Sequence, residues 1–185
     1  MASTPIYFSK FLVTDQVFYI SKYTYALVNL KPIVPGHVLV VPRNTDVVEL
    51  GLLSPEESQD YFRTLQLIQQ FIKWKYKCDA LNIAIQDGPE AGQSVPHLHT
   101  HIIPRYRLNN FGDQIYDKIE DWQFRRDLYV GDGGREARKA LEAKFKPDAQ
   151  RVERNHDVML EEANMLKQGL AQFLKEYPDI ASKWA

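Results

Sequence analysis

With 185 residues, 44% of them hydrophobic, the chain can bury about 70% of its unfolded surface in one domain without a covalent staple. A formal net charge of −1 excludes a protein held to nucleic acid or a membrane surface by bulk charge, while leaving open a nucleotide ligand that needs only local contacts. The single cysteine, Cys78, excludes an internal disulfide framework and a cysteine-based zinc finger.

One cysteine fits a reducing compartment. Met1 to Pro5 carries no basic segment followed by an apolar core, and no apolar run reaches the length of a membrane span. An intracellular, soluble protein is expected, cytoplasmic and also nuclear, with an organelle left open.

Residues 6–13 form a short extended edge. Gln16 to Ile20 and Thr24 to Asn29 are rich in β-branched and aromatic residues, and Ser21-Lys22 between them predicts a hairpin. Pro32, Pro35 and Gly36 mark a stiff turn before an apolar strand over His37 to Pro42. Ser54-Pro55-Glu56-Glu57 is a capping box with proline at the first helical position. Tyr61, Phe62, Leu65, Ile68 and Ile72 then recur at helical spacing, so a helix running to about Tyr76 is expected. Ala80 to Gln86 and His97 to Pro104 read as adjacent antiparallel strands joined by a long glycine-bearing connection.

From Arg105 to Pro147 the pattern dissolves into glycines and interleaved charges, predicting a mobile, irregular insert with a solvated surface. From Asp148 a second helix is expected, its stripe marked by Val152, Met159, Ala163, Leu166, Leu170 and Phe173. His156 on that helix reads as solvated surface. The sum is an α+β domain spanning 1–185, with about five antiparallel strands and two main helices on one face.

The chemistry concentrates in Gln86 to Arg105. A strand sends alternate side chains to one face, which puts His97, His99 and His101 on one side and Leu98 and Thr100 on the other. The preceding loop, with Gly88, Pro89, Gly92 and Ser94, can bend sharply and offer N–H groups to an anion. Three readings compete. A shared metal is one, but strand rise separates His97 from His101 by about 13 Å, and His37 is the only further histidine expected nearby. A solvated polar face is the second. The third is attack at phosphorus: a neutral imidazole needs no separate base, and can form a phosphoramidate that water later hydrolyses. His99, with a partner on each side, is the best-placed nucleophile.

His97-Leu98-His99-Thr100-His101-Ile102-Ile103 resembles the signature of the histidine-triad (HIT) superfamily, with Thr100 a mild departure at an apolar position. Gln86-Asp87-Gly88-Pro89-Glu90-Ala91-Gly92-Gln93, together with Ala26-Leu27-Val28-Asn29 and Val34-Pro35-Gly36-His37-Val38-Leu39-Val40, resembles the fragile-histidine-triad branch in a fungal-type form. The resemblance spans residues 6–117. It implies a HIT-like fold whose sheet extends across a homodimer. It also implies hydrolysis of dinucleoside polyphosphates, preferentially Ap3A to AMP and ADP, through a nucleotidyl-histidine on His99.

By the same resemblance His97 and His101 flank the nucleophile, and His101 also touches phosphate. Asn29 binds ribose hydroxyls, and Gln86 meets the bridging or leaving-group oxygen. Gly92, Gln93, Ser94 and Val95 hold the α-phosphate region. Phe8 and the apolar stretch near Leu27 wall the adenine, His37 orients a triad histidine, and Tyr116 belongs to a loop over the second nucleotide. Mg²⁺ or another divalent cation is expected with the substrate phosphates and no fixed protein metal site. No membrane or nucleic-acid partner is expected. Pro96 and Phe11 stand where the animal branch carries polar residues. A nucleoside phosphoramidase is the sister alternative, and a signalling protein whose substrate-bound form is the message belongs to another class. A DNA-end deadenylase would need zinc-finger cysteines that are absent.

Overall fold

The computed structural model describes residues 4–107 and 153–184. The chain opens with a small hairpin, β1 (Tyr7–Phe8) against β2 (Phe11–Leu12). β3 (Val17–Ile20) and β4 (Thr24–Val28) form the expected second hairpin, pinned at its tip where Asp60 accepts from Ser21 Oγ at 2.6 Å and from Tyr23 N at 3.0 Å. β5 (Val38–Pro42), β6 (Ala80–Ile85) and β7 (Thr100–Arg105) complete an antiparallel five-stranded sheet in the order β3-β4-β5-β7-β6. Among the described residues β6 is an edge strand, with Ile83 exposed on it.

α1 (Pro55–Tyr76) starts on the capping box read from sequence: Ser54 Oγ accepts from Glu57 N, and Glu57 Oε2 accepts from Ser54 N. It ends on Lys77 in the left-handed region. Tyr61, Leu65, Ile68 and Ile72 are buried as expected, but Phe62 lies 42% exposed. The reason is angular: one residue on from Tyr61 turns Phe62 off the buried stripe, where its ring packs edge-on against Tyr61.

The last main helix, α2 (His156–Glu176), begins eight residues later than the expected start at Asp148, and Val152 lies outside the described residues. Asn155 sets the start, its side chain accepting from Val158 N at 2.9 Å. Met159, Ala163, Leu166, Leu170 and Phe173 are buried as read. A short α3 (Pro178–Trp184) follows.

Alternation along the strands divides the interior. Ala26, Val28, Val38, Val40, Leu98 and Ile102 face α1 and α2 and share one apolar core with them. Tyr25, Leu27, Leu39 and Val41 face the other way, where Ile6, Phe8, Val13 and Val95 cover them. With both faces covered, β5 reads as an unbroken apolar run. The helices thus hold one side of the sheet and leave the other side for chemistry.

Candidate active site

The histidine segment is less regular than a straight strand over His97 to Pro104. The strand begins at Thr100; His97 sits in a bend where its N–H donates to Val95 O at 2.8 Å, just after Pro96, which has no N–H to pair. The alternation nevertheless holds. Leu98 and Ile102 are wholly buried against the helices, and Thr100 reaches the same side. Tyr61 Oη donates to Val40 O at 3.0 Å, so Thr100 Oγ1, 2.7 Å away, donates to Tyr61. That bond satisfies the one polar side chain standing where the motif expects an apolar one. His97, His99 and His101 are left on the opposite face, no more than 2% exposed.

Backbone partners fix the tautomers, because a carbonyl can only accept and a backbone N–H can only donate. His99 Nδ1 lies 2.8 Å from His97 O, so it carries the proton and the lone pair sits on Nε2. Ser9 N donates to His97 Nδ1 at 2.9 Å, which puts the His97 proton on Nε2. The carbonyls of Pro42 and Asn44 lie on the side that favours that proton, yet neither forms a hydrogen bond of normal geometry with it. Ile33 N donates to His37 Nδ1 at 3.1 Å, so His37 Nε2–H points to His101 Nδ1 at 2.9 Å and leaves the His101 proton on Nε2. The three histidines therefore alternate: a proton on Nε2, a lone pair on Nε2, a proton on Nε2.

Burial keeps the central imidazoles neutral. It pushes His97 down to about 4, helped by the neighbouring His99, and it lowers His99, against the pull of the His97 carbonyl. Phe8 supplies much of the apolar wall, its ring centroid 5.5 Å from that of His97 and 5.2 Å from that of His99. His99 and His101 stack edge-on at 5.0 Å. Leu27 lies beneath Phe8 in the same apolar group.

The glycine loop is built around Gln86. Gly92 has φ +86°, and a Cβ there would stand 2.6 Å from Gln86 Nε2, so the turn favours glycine and any side chain would push the Gln86 amide aside. Gln86 is 7% exposed and its Nε2 finds no hydrogen-bond partner among the described residues, which leaves a buried donor free to meet a ligand. Three of the loop's N–H groups are engaged within the loop itself. Ala91 N and Gln93 N donate to Gly88 O, and Gly92 N donates to Pro89 O. The Gln93 amide donates to Val48 O at 2.7 Å, Val95 packs under Phe8, and Ser94 is buried beside them. In this loop Gln93 and Val95 hold the turn to the sheet.

Asn29 is fully buried where β4 ends. Lys31 N donates to its Oδ1 at 3.0 Å, which turns the amide nitrogen toward His37 Nε2, 3.1 Å away; both atoms are donors in this tautomer, so the pair is a close contact and leaves the Asn29 N–H groups to seek another acceptor. His37 thus stands behind His101, its Nε2 2.9 Å from His101 Nδ1. Tyr116 and residues 108–147 of the expected insert lie outside the described residues. Sequence reasoning missed three contributors: Ser9, Ile33 and Arg154. The first two act through backbone N–H groups that side-chain identity does not encode, and the third comes from 125 positions away. Among the described residues no group of three or more His, Cys, Asp or Glu is arranged to hold a metal, and no helix is long and apolar enough to cross a membrane.

Fold and site together define an α+β protein in which one sheet face gathers three buried histidines, two of them held neutral by burial. The chain belongs to the HIT domain family, whose model matches residues 11–108. It is 58% identical to a bis(5'-adenosyl)-triphosphatase of Saccharomyces cerevisiae strain S288c, over 97% of this chain and 98% of that protein. It is 49% identical to an asymmetrical bis(5'-nucleosyl)-tetraphosphatase of Schizosaccharomyces pombe, over 62% of this chain and 63% of that one. The solved structure of a Plasmodium falciparum diadenosine triphosphate hydrolase, in complex with cyclomarin A, matches with a TM-score of 0.64 and 26% identity, covering 95% of this chain and 88% of that chain.

Proposed function

We propose that this protein is a dinucleoside polyphosphate hydrolase that splits Ap3A into AMP and ADP through a nucleotidyl group carried on His99. The observation that carries the reading is the His99 tautomer: Nδ1–H bound to His97 O at 2.8 Å leaves the Nε2 lone pair as nucleophile. The activities borne by the names of the Saccharomyces and Schizosaccharomyces relatives support the substrate class.

The reaction runs in two displacements. His99 Nε2 forms a bond to the α-phosphorus while the bridging P–O bond breaks, and its electron pair leaves on ADP. The ring gains positive charge, which strengthens the Nδ1–H bond to the His97 carbonyl. Water then attacks the same phosphorus, the P–N bond breaks, AMP departs, and the water's proton passes to solvent. The Nε2–H groups of His97 and His101 suit the phosphate oxygens on either side, and the Gln86 amide suits the bridging oxygen.

In this reading Asn29 takes the ribose, and Phe8 with Leu27 walls the adenine. Gly92 and Ser94 line the α-phosphate region. The donors around His99 are imidazole nitrogens and amides, a set that does not make an oxygen cage, so Mg²⁺ would ride on the phosphates and neutralise their charge. The place of β6 at the sheet edge among the described residues, with Ile83 exposed on it, supports a homodimer formed by sheet extension.

Incubation with Ap3A and Mg²⁺, with His99→Ala alongside, tests the activity. The expected products are AMP and ADP from the wild type, with turnover reduced about 10⁴-fold or more in the variant. Inert Ap3A with ammonia release from adenosine phosphoramidate would move the protein to the sister activity.

A further inference from the structure

We propose that Arg154 is a positioning residue for the ribose end of the site, acting through Asn29 and held by Glu162. The inference rests on the reading of Asn29 as the ribose contact.

The β4 ladder stops at Val28, so the carbonyl of Asn29 has left the sheet and has no strand partner. Arg154 takes it. Its Nε donates to Asn29 O at 3.1 Å, and Nη2 donates to the same oxygen. Its backbone N–H donates to Leu30 O at 3.1 Å. The remaining arm of the guanidinium, Nη1, lies 2.5 Å from Glu162 Oε2, and the two side chains are only 18% and 16% exposed. Glu162 sits on α2 beside Ala163, which is wholly buried in the helix core, and its other oxygen accepts from Tyr76 Oη. The fork therefore ties one site carbonyl to a rigid element on the far side of the sheet.

The direction of this tie matters. Asn29 has its Oδ1 held by Lys31 N, so the aim of its amide nitrogen depends on the backbone of residues 29–31. All of the Arg154 bonds to the sheet side fall on Asn29 and Leu30. The next residue is tethered as well, by the Lys31–Glu153 pair at 3.2 Å. A planar fork can serve a carbonyl and a carboxylate at once, whereas a lysine ammonium is a point donor. Losing the fork frees the Asn29 peptide to tilt and turns the amide away from its target.

The test uses the full-length chain and steady-state kinetics with Ap3A for Arg154→Ala, Arg154→Lys, Asn29→Ala and the double variant Asn29→Ala/Arg154→Ala. Charged hydrogen bonds of this kind support a KM rise of about tenfold in Arg154→Ala, with kcat largely retained. The double variant is expected to have the KM of Asn29→Ala alone. An analogue lacking the ribose 2′ and 3′ hydroxyls should erase the difference between Arg154→Ala and wild type. Should Arg154→Ala fail to fold, Arg154→Lys serves, with a KM above wild type. A wild-type KM in the Arg154 variants, or penalties that multiply in the double variant, would overturn the proposal. An unchanged KM in Asn29→Ala would instead remove the ribose reading beneath it, so the two failures are told apart.

Discussion

The two faces of the sheet are buried to the same degree by opposite means. On the helix face, Phe71 touches Phe18, Trp74 and Phe173, and each apolar side chain has several neighbours that share its burial. On the histidine face, the imidazoles are each aimed by one or two directional bonds: His99 by a carbonyl, His97 by Ser9 N, His37 by Ile33 N. Dispersion is additive and forgiving, whereas a buried hydrogen bond is directional and costly to leave unmade. The helix face therefore sets how stable the molecule is, and the histidine face sets which nitrogen carries a lone pair.

Substitutions on the two faces should separate these roles. The largest effect on stability is expected from Phe71→Ala. Its ring is fully buried, so chemical denaturation should register a loss of about 3–5 kcal/mol, while turnover per folded molecule stays near wild type. Loss of activity in parallel with stability would show that the faces are not independent.

Acid should act on the histidine face. Between pH about 6.5 and about 4 the unfolded chain binds a proton at His97 that the folded chain refuses, so stability falls as pH falls across that window and levels off below it. The expected loss is about 3 kcal/mol, with His99 adding in the same direction, and His97→Asn should flatten the slope in denaturation curves taken from pH 7 to pH 4. The acid limb of kcat/KM should likewise fall below the ordinary imidazole value of about 6.5, because the nucleophile resists protonation.

Gly92→Ala is a smaller and more local blow. The new methyl would displace the Gln86 amide and strain a φ of +86°, so kcat/KM should drop about tenfold with little change in the thermal midpoint. A wild-type rate would detach Gln86 from the chemistry. The smallest effect is expected from Ser54→Ala, which removes the α1 cap and about 1 kcal/mol of stability without touching the kinetics.

What the sequence revealed follows the same divide. Helix-face features are local patterns. The capping box at Ser54 and the stripe through Leu65, Ile68 and Ile72 could be read residue by residue. So could the alternation that turns three histidines away from Leu98 and Thr100. The details that decide reactivity are not local. Ser9 lies 88 positions from His97, and Arg154 lies 125 from Asn29, so no spacing rule brings them together. The strand starts three residues after His97 because Pro96 and the bend at His97 break the ladder while keeping the alternation intact. The α2 start is also local, since Asn155 is a good cap residue, but the apolar pattern runs back through Val152 and masks it. Composition marks the glycine loop as a sharp turn but does not say that its N–H groups at Ala91, Gly92 and Gln93 bond within the loop, because that depends on backbone angles.

The most direct test of the central claim, that His99 Nε2 is the nucleophile, is a rapid-quench experiment with Ap3A radiolabelled at the α-phosphorus, followed by peptide mapping, together with turnover in isotopically labelled water of Ap3A made chiral there by sulfur substitution, to read the configuration at phosphorus. The account predicts an acid-labile label on the peptide carrying His99 and AMP formed with retention, the outcome of two in-line displacements. An unlabelled protein and inversion at phosphorus would mean that water attacks directly, and would contradict it.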